Sequence, residues 1–285
     1  MARVPRCLRG APERPQVLRQ VRFDRALRAA LALRETRFGS AACGVGESLV
    51  ALRWARDSGV ACFDCHVNGH TNRATHLVGD IRPQPFRHRI NTPSLRGVNV
   101  QRLFGSQRAL KTVEDFTEFE QRAAYFDGDI SMAAKKGVNI LERASQVHFM
   151  SEFMALLDFP PAPKLNIYGE LDAGKATASE ARGQALFAGK GRCSTCHPAP
   201  DYTDNGMHNL RAERFYQQAL AGGMMMAGDG PIKTFPLRGV NDSPPYLHDG
   251  RCLTIDDTVE YFNLIQQLHL TPQEKKDIVA FLLAL

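Results

Sequence analysis

The sequence predicts a mainly α-helical chain assembled from two related units, and three observations carry that expectation. A five-residue pattern, C-x-x-C-H, occurs twice, as Cys62-Phe63-Asp64-Cys65-His66 and as Cys193-Ser194-Thr195-Cys196-His197. Downstream of each copy a block repeats without a gap at an offset of 142 residues: Leu95-Arg96-Gly97-Val98-Asn99 returns as Leu237-Arg238-Gly239-Val240-Asn241. Strand-like alternation is scarce, whereas helix-start signals recur.

Taken from the N-terminus, residues 1–56 hold 12 Arg, no Lys and four acids, a net charge of +8, while the remaining residues balance to −2. The overall +6 is therefore a property of the front segment, and a nearly neutral body excludes a nucleic-acid-binding reading. Leu18, Val21, Ala29 and Leu33 recur there at helical spacing. No apolar run approaches the roughly 18 residues that a membrane span needs. No apolar core follows the basic start, so the segment lacks the usual form of a secretory signal.

The two units are expected at 57–160 and 161–285. The offset of 142 also pairs Phe104 with Tyr246, Thr112 with Thr254, Glu114 with Asp256, Asp115 with Asp257 and Phe119 with Tyr261. Internal duplication is the simplest reading. The first unit is expected to end in an apolar helix over Val147 to Leu157, the second in one over Ile278 to Leu285. Between them, Asp158-Phe159-Pro160-Pro161-Ala162-Pro163 breaks helices and reads as a linker. Ser179 is expected to cap a helix running to Phe187. Thr271-Pro272-Gln273-Glu274 has a cap, a first-turn proline and a glutamate at the third position.

The chemistry lies in the C-x-x-C-H pairs. Chance predicts roughly 0.005 occurrences in a chain of this composition, against the two present. On one helical turn, positions i, i+3 and i+4 share a face. Two thiols can then bond the edge of a porphyrin while the next imidazole reaches the iron. Cys62, Cys65, Cys193 and Cys196 are the expected attachment points, and His66 and His197 the expected proximal ligands. A four-cysteine zinc site would leave both histidines unexplained. The three remaining cysteines, Cys7, Cys43 and Cys252, read as small apolar residues. Two units of one architecture, each holding a haem, follow.

Residues 57–285 resemble the bacterial di-haem cytochrome c peroxidase family, including its tryptophan-oxidising relatives. The most specific stretch is Thr234 to Arg251, containing Pro236-Leu237-Arg238-Gly239-Val240 and Pro245-Tyr246-Leu247-His248-Asp249-Gly250-Arg251, then Leu253 to Glu260. Asn91-Thr92-Pro93-Ser94-Leu95 and Phe104 to Glu114 are similar to the N-terminal counterpart. The resemblance implies two cytochrome-c-like haem domains with two covalently bound c-type haems, and calcium as an optional further ion. It implies peroxide reduction at the N-terminal haem, with electrons relayed from the C-terminal haem and supplied by a small cytochrome c or cupredoxin. Glu114 falls where the family places its distal glutamate, and Arg108 matches the arginine of that block. A carboxylate there can move a proton between the two oxygens of hydrogen peroxide.

The sequence departs from the family at the second haem's axial position, where Phe262 cannot bind iron. Tyr261, the cluster Met224, Met225 and Met226, then Met207 or His208, are the candidates. His70, His76 and His88 are candidate distal groups for the first haem. The family's relay tryptophan is absent, the only Trp being Trp54. Asp201 to Asn209 is expected as a loop over the porphyrin edge. Three functions compete: a peroxidase, an oxidase acting on a partner protein, and an electron carrier with both irons closed. Covalent haem implies the periplasm, which predicts that the true leader is missing or replaced.

Overall fold

The computed structural model describes residues 62–79, 87–105, 110–119, 147–211, 220–221, 224–225 and 231–285. Residues 1–61, and with them Trp54 and the Arg-rich segment, lie outside the described residues, as do Arg108 and Met226. The described part is mainly helical: α1 Cys62–Cys65, α2 Val113–Phe119, α3 His148–Met154, α4 Ala178–Ala188, α5 Ile255–Ile265 and α6 Pro272–Leu282. Three antiparallel two-stranded ribbons accompany them: β1 Thr75–Gly79 with β2 Arg87–Asn91, β3 Met207–Asn209 with β6 Pro231–Lys233, and β4 Leu220–Ala221 with β5 Met224–Met225.

Helix starts follow a local rule. Thr271 caps α6 through a reciprocal box with Glu274, with Pro272 in the first turn. At α4 the cap is Thr177 rather than Ser179. Glu180 N–H donates to Thr177 Oγ1 and Thr177 N–H donates to Glu180 Oε2. Ser179 has no acid three residues on, and its hydroxyl instead donates to Asp277 Oδ1 at 2.6 Å. Arg182 adds two bonds to the same carboxylate. Opposite them, a Cβ at Gly183 would stand 1.9 Å from the Asp277 carbonyl oxygen, so α4 and α6 touch only because that side chain is absent. Phe187, Tyr202 and Phe281 meet edge-on there, with ring centroids 5.2–6.0 Å apart.

The chain divides into two compact units. The described residues of one fall within Met1–Gly69, Leu95–Asn99 and Thr112–Pro161; those of the other within His70–Ser94, Val100–Lys111 and Ala162–Leu285. In the first unit, the Ser151 hydroxyl donates to Thr117 Oγ1 at 3.3 Å and ties α3 to α2. Gly97, at φ 75°, lies under the Phe159 ring, which a Cβ would strike at 2.0 Å. In the second, α4, α5 and α6 enclose the aromatic core. Asp158–Pro163 holds neither helix nor strand, and a unit boundary falls between Pro161 and Ala162.

Local structure recurs at the 142-residue offset. The 3₁₀ turn Val98–Val100 has its counterpart in Val240–Asp242. Gly97 and Gly239 both take positive φ, and their N–H groups donate to Leu157 O and Leu285 O, at the ends of the last helices. The Phe104–Leu110 bridge matches the Tyr246–Cys252 bridge. The Thr112–Asp115 box before α2 matches Thr254–Asp257 before α5.

Candidate cofactor site

The second C-x-x-C-H motif is a single tight turn. Arg192 enters it in the left-handed region, and its guanidinium donates to Gln266 O at 2.9 Å. Cys193–Thr195 form a 3₁₀ turn, and His197 N–H donates to Cys193 O at 2.9 Å. Gly191 leaves room for the Cys193 sulfur, which a Cβ would approach to 3.3 Å. Burial pushes the Cys193 thiol up to about 11 and also raises that of Cys196, so both remain protonated.

The His197 ring is oriented by backbone. Its Nδ1 lies 2.8 Å from Tyr202 O. A carbonyl can only accept, so Nδ1 carries the hydrogen and Nε2 is the nitrogen with a lone pair. Burial lowers the imidazole's pKa against the opposing pull of the bond to the Tyr202 carbonyl, which favours the neutral form that a metal takes. The carbonyl is itself held. Tyr202 is buried, with φ 56°, and its hydroxyl donates to Gly169 O at 2.5 Å. Burial pushes that phenol up to about 12.

The first motif makes the same closure in a short α turn, with His66 N–H donating to Cys62 O at 2.8 Å. Asn68 and Gly69 then turn the chain through positive φ. Cys62, Cys65 and His66 are half-buried. Phe63 packs on Phe153 of α3, ring centroids 6.3 Å apart.

No family model matches the chain. It is 29% identical over 157 residues to the cytochrome-c peroxidase IdrP1 of Denitromonas iodatirespirans, which is 40% of this chain and 42% of that protein. It is 24% identical over 286 residues to the cytochrome-c peroxidase IdrP2 of the same organism, across 82% of this chain and 78% of that one. The curated proteins to which the chain is similar are thus cytochrome-c peroxidases. A MauG-like protein associated with microbial copper homeostasis shares the fold, with a TM-score of 0.64 over 86% of this chain and 88% of that one at 20% identity. The chain thus spans less than half the length of one curated relative and most of another.

For a relative of these peroxidases, the other predicted residues are placed as follows. Glu114 stands in the first turn of α2, about one-third exposed, with Oε1 4.0 Å from His148 Nδ1 on α3. Tyr261 is buried in the α5 core, perpendicular to Phe262, with the Arg251 guanidinium 5.9 Å from its ring centroid. Arg251 is paired with Asp249. Met224 and Met225 form β5, opposite β4. Met207 and His208 belong to β3, so the expected loop is a loop only as far as Gly206. His208 Nε2 meets Asp204 Oδ2 at 2.7 Å, and together with Cys196 Sγ these atoms lie within 4.8 Å of one another. Zinc on those three groups would leave His197 unused.

Both ring nitrogens of His70 have partners, Ser94 Oγ at 2.7 Å and Asp242 O at 3.1 Å. His76 Nε2 lies 3.4 Å from Asn72 Nδ2, and His88 sits on β2 opposite Val78.

Sequence reasoning missed three groups. The Tyr202 carbonyl carries no side-chain signature. Asn91 ends β2, with Nδ2 donating to Pro245 O and Leu247 O, while its buried Oδ1 has no hydrogen-bond partner among the described residues. Lys233 ends β6 and is 3% exposed, its ammonium donating to Gln101 Oε1 at 2.8 Å.

Proposed function

We propose that this chain is a periplasmic di-haem c-type cytochrome that reduces hydrogen peroxide. Electrons enter from a small cytochrome c or cupredoxin and pass from the haem at Cys193–His197 to that at Cys62–His66. The observation that carries the reading is the His197–Tyr202 bond, because it presents Nε2 from the same turn that holds two protonated thiols. Each thiol would add S–H across an unsaturated side group of the porphyrin, which needs no oxidant. Haem, when bound, supplies the redox chemistry. The recurrence at 142 residues supports duplication, with haem domains at 57–160 and 161–285.

On this reading Glu114 shuttles a proton between the peroxide oxygens, and Arg108 stabilises developing negative charge. Tyr261 or Met225 is the candidate sixth ligand of the second haem. Calcium fits at Asn91. With the amide turned over, Oδ1 would face the carbonyl oxygens of Pro245 and Leu247, an all-oxygen set suited to a hard cation.

The test is a haem count and a spectrum on matured protein. Two covalent haems per chain, a ferric high-spin component and its loss on adding peroxide are expected. A colourless, zinc-loaded protein would overturn the reading. A wholly low-spin spectrum indifferent to peroxide would leave an electron carrier. Glu114→Gln should lower peroxide turnover about 100-fold; unchanged turnover removes Glu114 from the mechanism.

A further inference from the structure

The loop after the second motif folds back on that motif's second cysteine. Asp204 N–H donates to Cys196 O at 2.9 Å, which brings the Asp204 side chain alongside the turn. Its Oδ1 accepts from Gly206 N–H at 2.6 Å. A Cβ on Gly206 would stand 2.7 Å from Oδ2, so the glycine leaves room for the carboxylate where it lies. His208 follows on β3, opposite Ile232, and its Nε2 meets Asp204 Oδ2 at 2.7 Å. Sulfur, carboxylate oxygen and ring nitrogen all lie within 4.8 Å of one another.

Thiolate, imidazole and carboxylate are the donor types that zinc takes, and a tetrahedral ion would hold them about 3.5 Å apart. Reaching that spacing asks for about an ångström of side-chain movement. The His208 and Asp204 side chains are 37% and 27% exposed, which gives an ion a path from solvent and leaves a fourth position for water. Burial first, and then the Asp204 carboxylate, raise the Cys196 thiol. A divalent ion between the two would remove that repulsion. The first motif has no such set. The residues that stand to Cys65 as Asp204 and His208 stand to Cys196 are Arg73 and Leu77. Cys193 lies outside the set as well, its sulfur facing Gly191 O at 3.3 Å.

We propose that the chain, before haem is attached, binds one zinc-class divalent ion on Cys196, Asp204 and His208, and that this ion competes with haem for the second motif. The metal site stands on the geometry; the competition rests on the haem reading above. As the ion binds, the Cys196 S–H bond breaks, its proton leaves to solvent and the sulfur's electron pair goes to the ion, with no change of oxidation state. Haem attachment turns the same sulfur into a neutral thioether and so takes the anionic sulfur donor out of the set. The first motif, without counterparts to Asp204 and His208, loads haem whether or not zinc is present.

Titration of the haem-free full chain with cobalt(II), a coloured substitute for zinc, tests the site. One equivalent should bind with thiolate-to-cobalt charge-transfer absorption, and zinc should displace it. Cys196→Ser should abolish that absorption, and His208→Ala, at an exposed position, should weaken binding at least about tenfold. Cys65→Ser should change neither. Absence of the absorption, or its survival in Cys196→Ser, would overturn the site. The competition is read by the mass of the chain matured in excess zinc, which should lack one haem, at the second motif, and regain it in His208→Ala. Two haems at every zinc concentration would overturn the competition. No covalent haem even without zinc would instead overturn the reading on which the competition rests, with the cobalt result still deciding the site.

Discussion

The two stretches offset by 142 residues agree in local backbone and differ in what that backbone holds. Gly97 and Gly239 turn alike, the bridges at Phe104 and Tyr246 close alike, and Thr112 and Thr254 cap alike. Asn91 and Lys233, at equivalent strand ends, carry different groups, a neutral amide and an ammonium. Hydrogen-bonded turns that only a few residues can adopt are shared by both stretches, while the side chain at a strand end is free to specialise.

The largest expected effect tests how far the copies are equivalent. Gly97→Ala must take a left-handed φ and also displace the Phe159 ring, so it should cost about 3 kcal/mol in thermal or denaturant unfolding. Gly239→Ala shares the backbone penalty of about 1 kcal/mol. Equal losses would mean that the Phe159 contact carries no weight.

Calcium separates the copies next. Chelation should lower the melting temperature, as removal of any ligand that binds only the folded state does. Asn91→Leu should abolish that dependence, and Lys233→Gln should leave it intact. A chelator without effect on the unmutated protein would remove calcium from the Asn91 site.

Caps should behave identically. Thr112→Ala and Thr254→Ala each lose a reciprocal box and should cost about 1 kcal/mol apiece. A difference beyond a factor of two would break the equivalence.

The smallest effect is confined to the second copy. Arg182 and Ser179 hold the Asp277 carboxyl well below the usual range by hydrogen bonds, against the opposing effect of burial. A depressed folded-state pKa contributes stability above the unfolded value near 4, and that contribution fades as pH falls. Asp277→Asn should therefore destabilise at neutral pH, by an amount that shrinks below about pH 4. A cost that does not vary with pH would assign Asp277 a purely steric role.

How much of this was legible depended on where the chemistry resides. The C-x-x-C-H turns were readable because their reactive groups are side chains at a spacing set by one turn. Thr271 was readable as a cap from the acid three residues on. The same rule picks Thr177 over Ser179, since Glu180 closes a box and Arg182 cannot. The ribbons were not readable, being two to five residues long and set by pairing across the chain. Lys233 carries no signal in the sequence; only strand register puts it opposite Met207, level with Asn91. Glu114 was legible as a helix-start acid; its neighbour His148 was not, because α3 is distant in sequence.

The carbonyl that steers His197 belongs to the main chain, so replacing residue 202 with any other amino acid leaves that oxygen in place. A scan that trims side chains one at a time would therefore report the phenol's anchorage to Gly169 and miss the steering itself. Only a change that shifts the peptide plane, such as lengthening the stretch between His197 and Tyr202, would show how strongly that atom governs the imidazole.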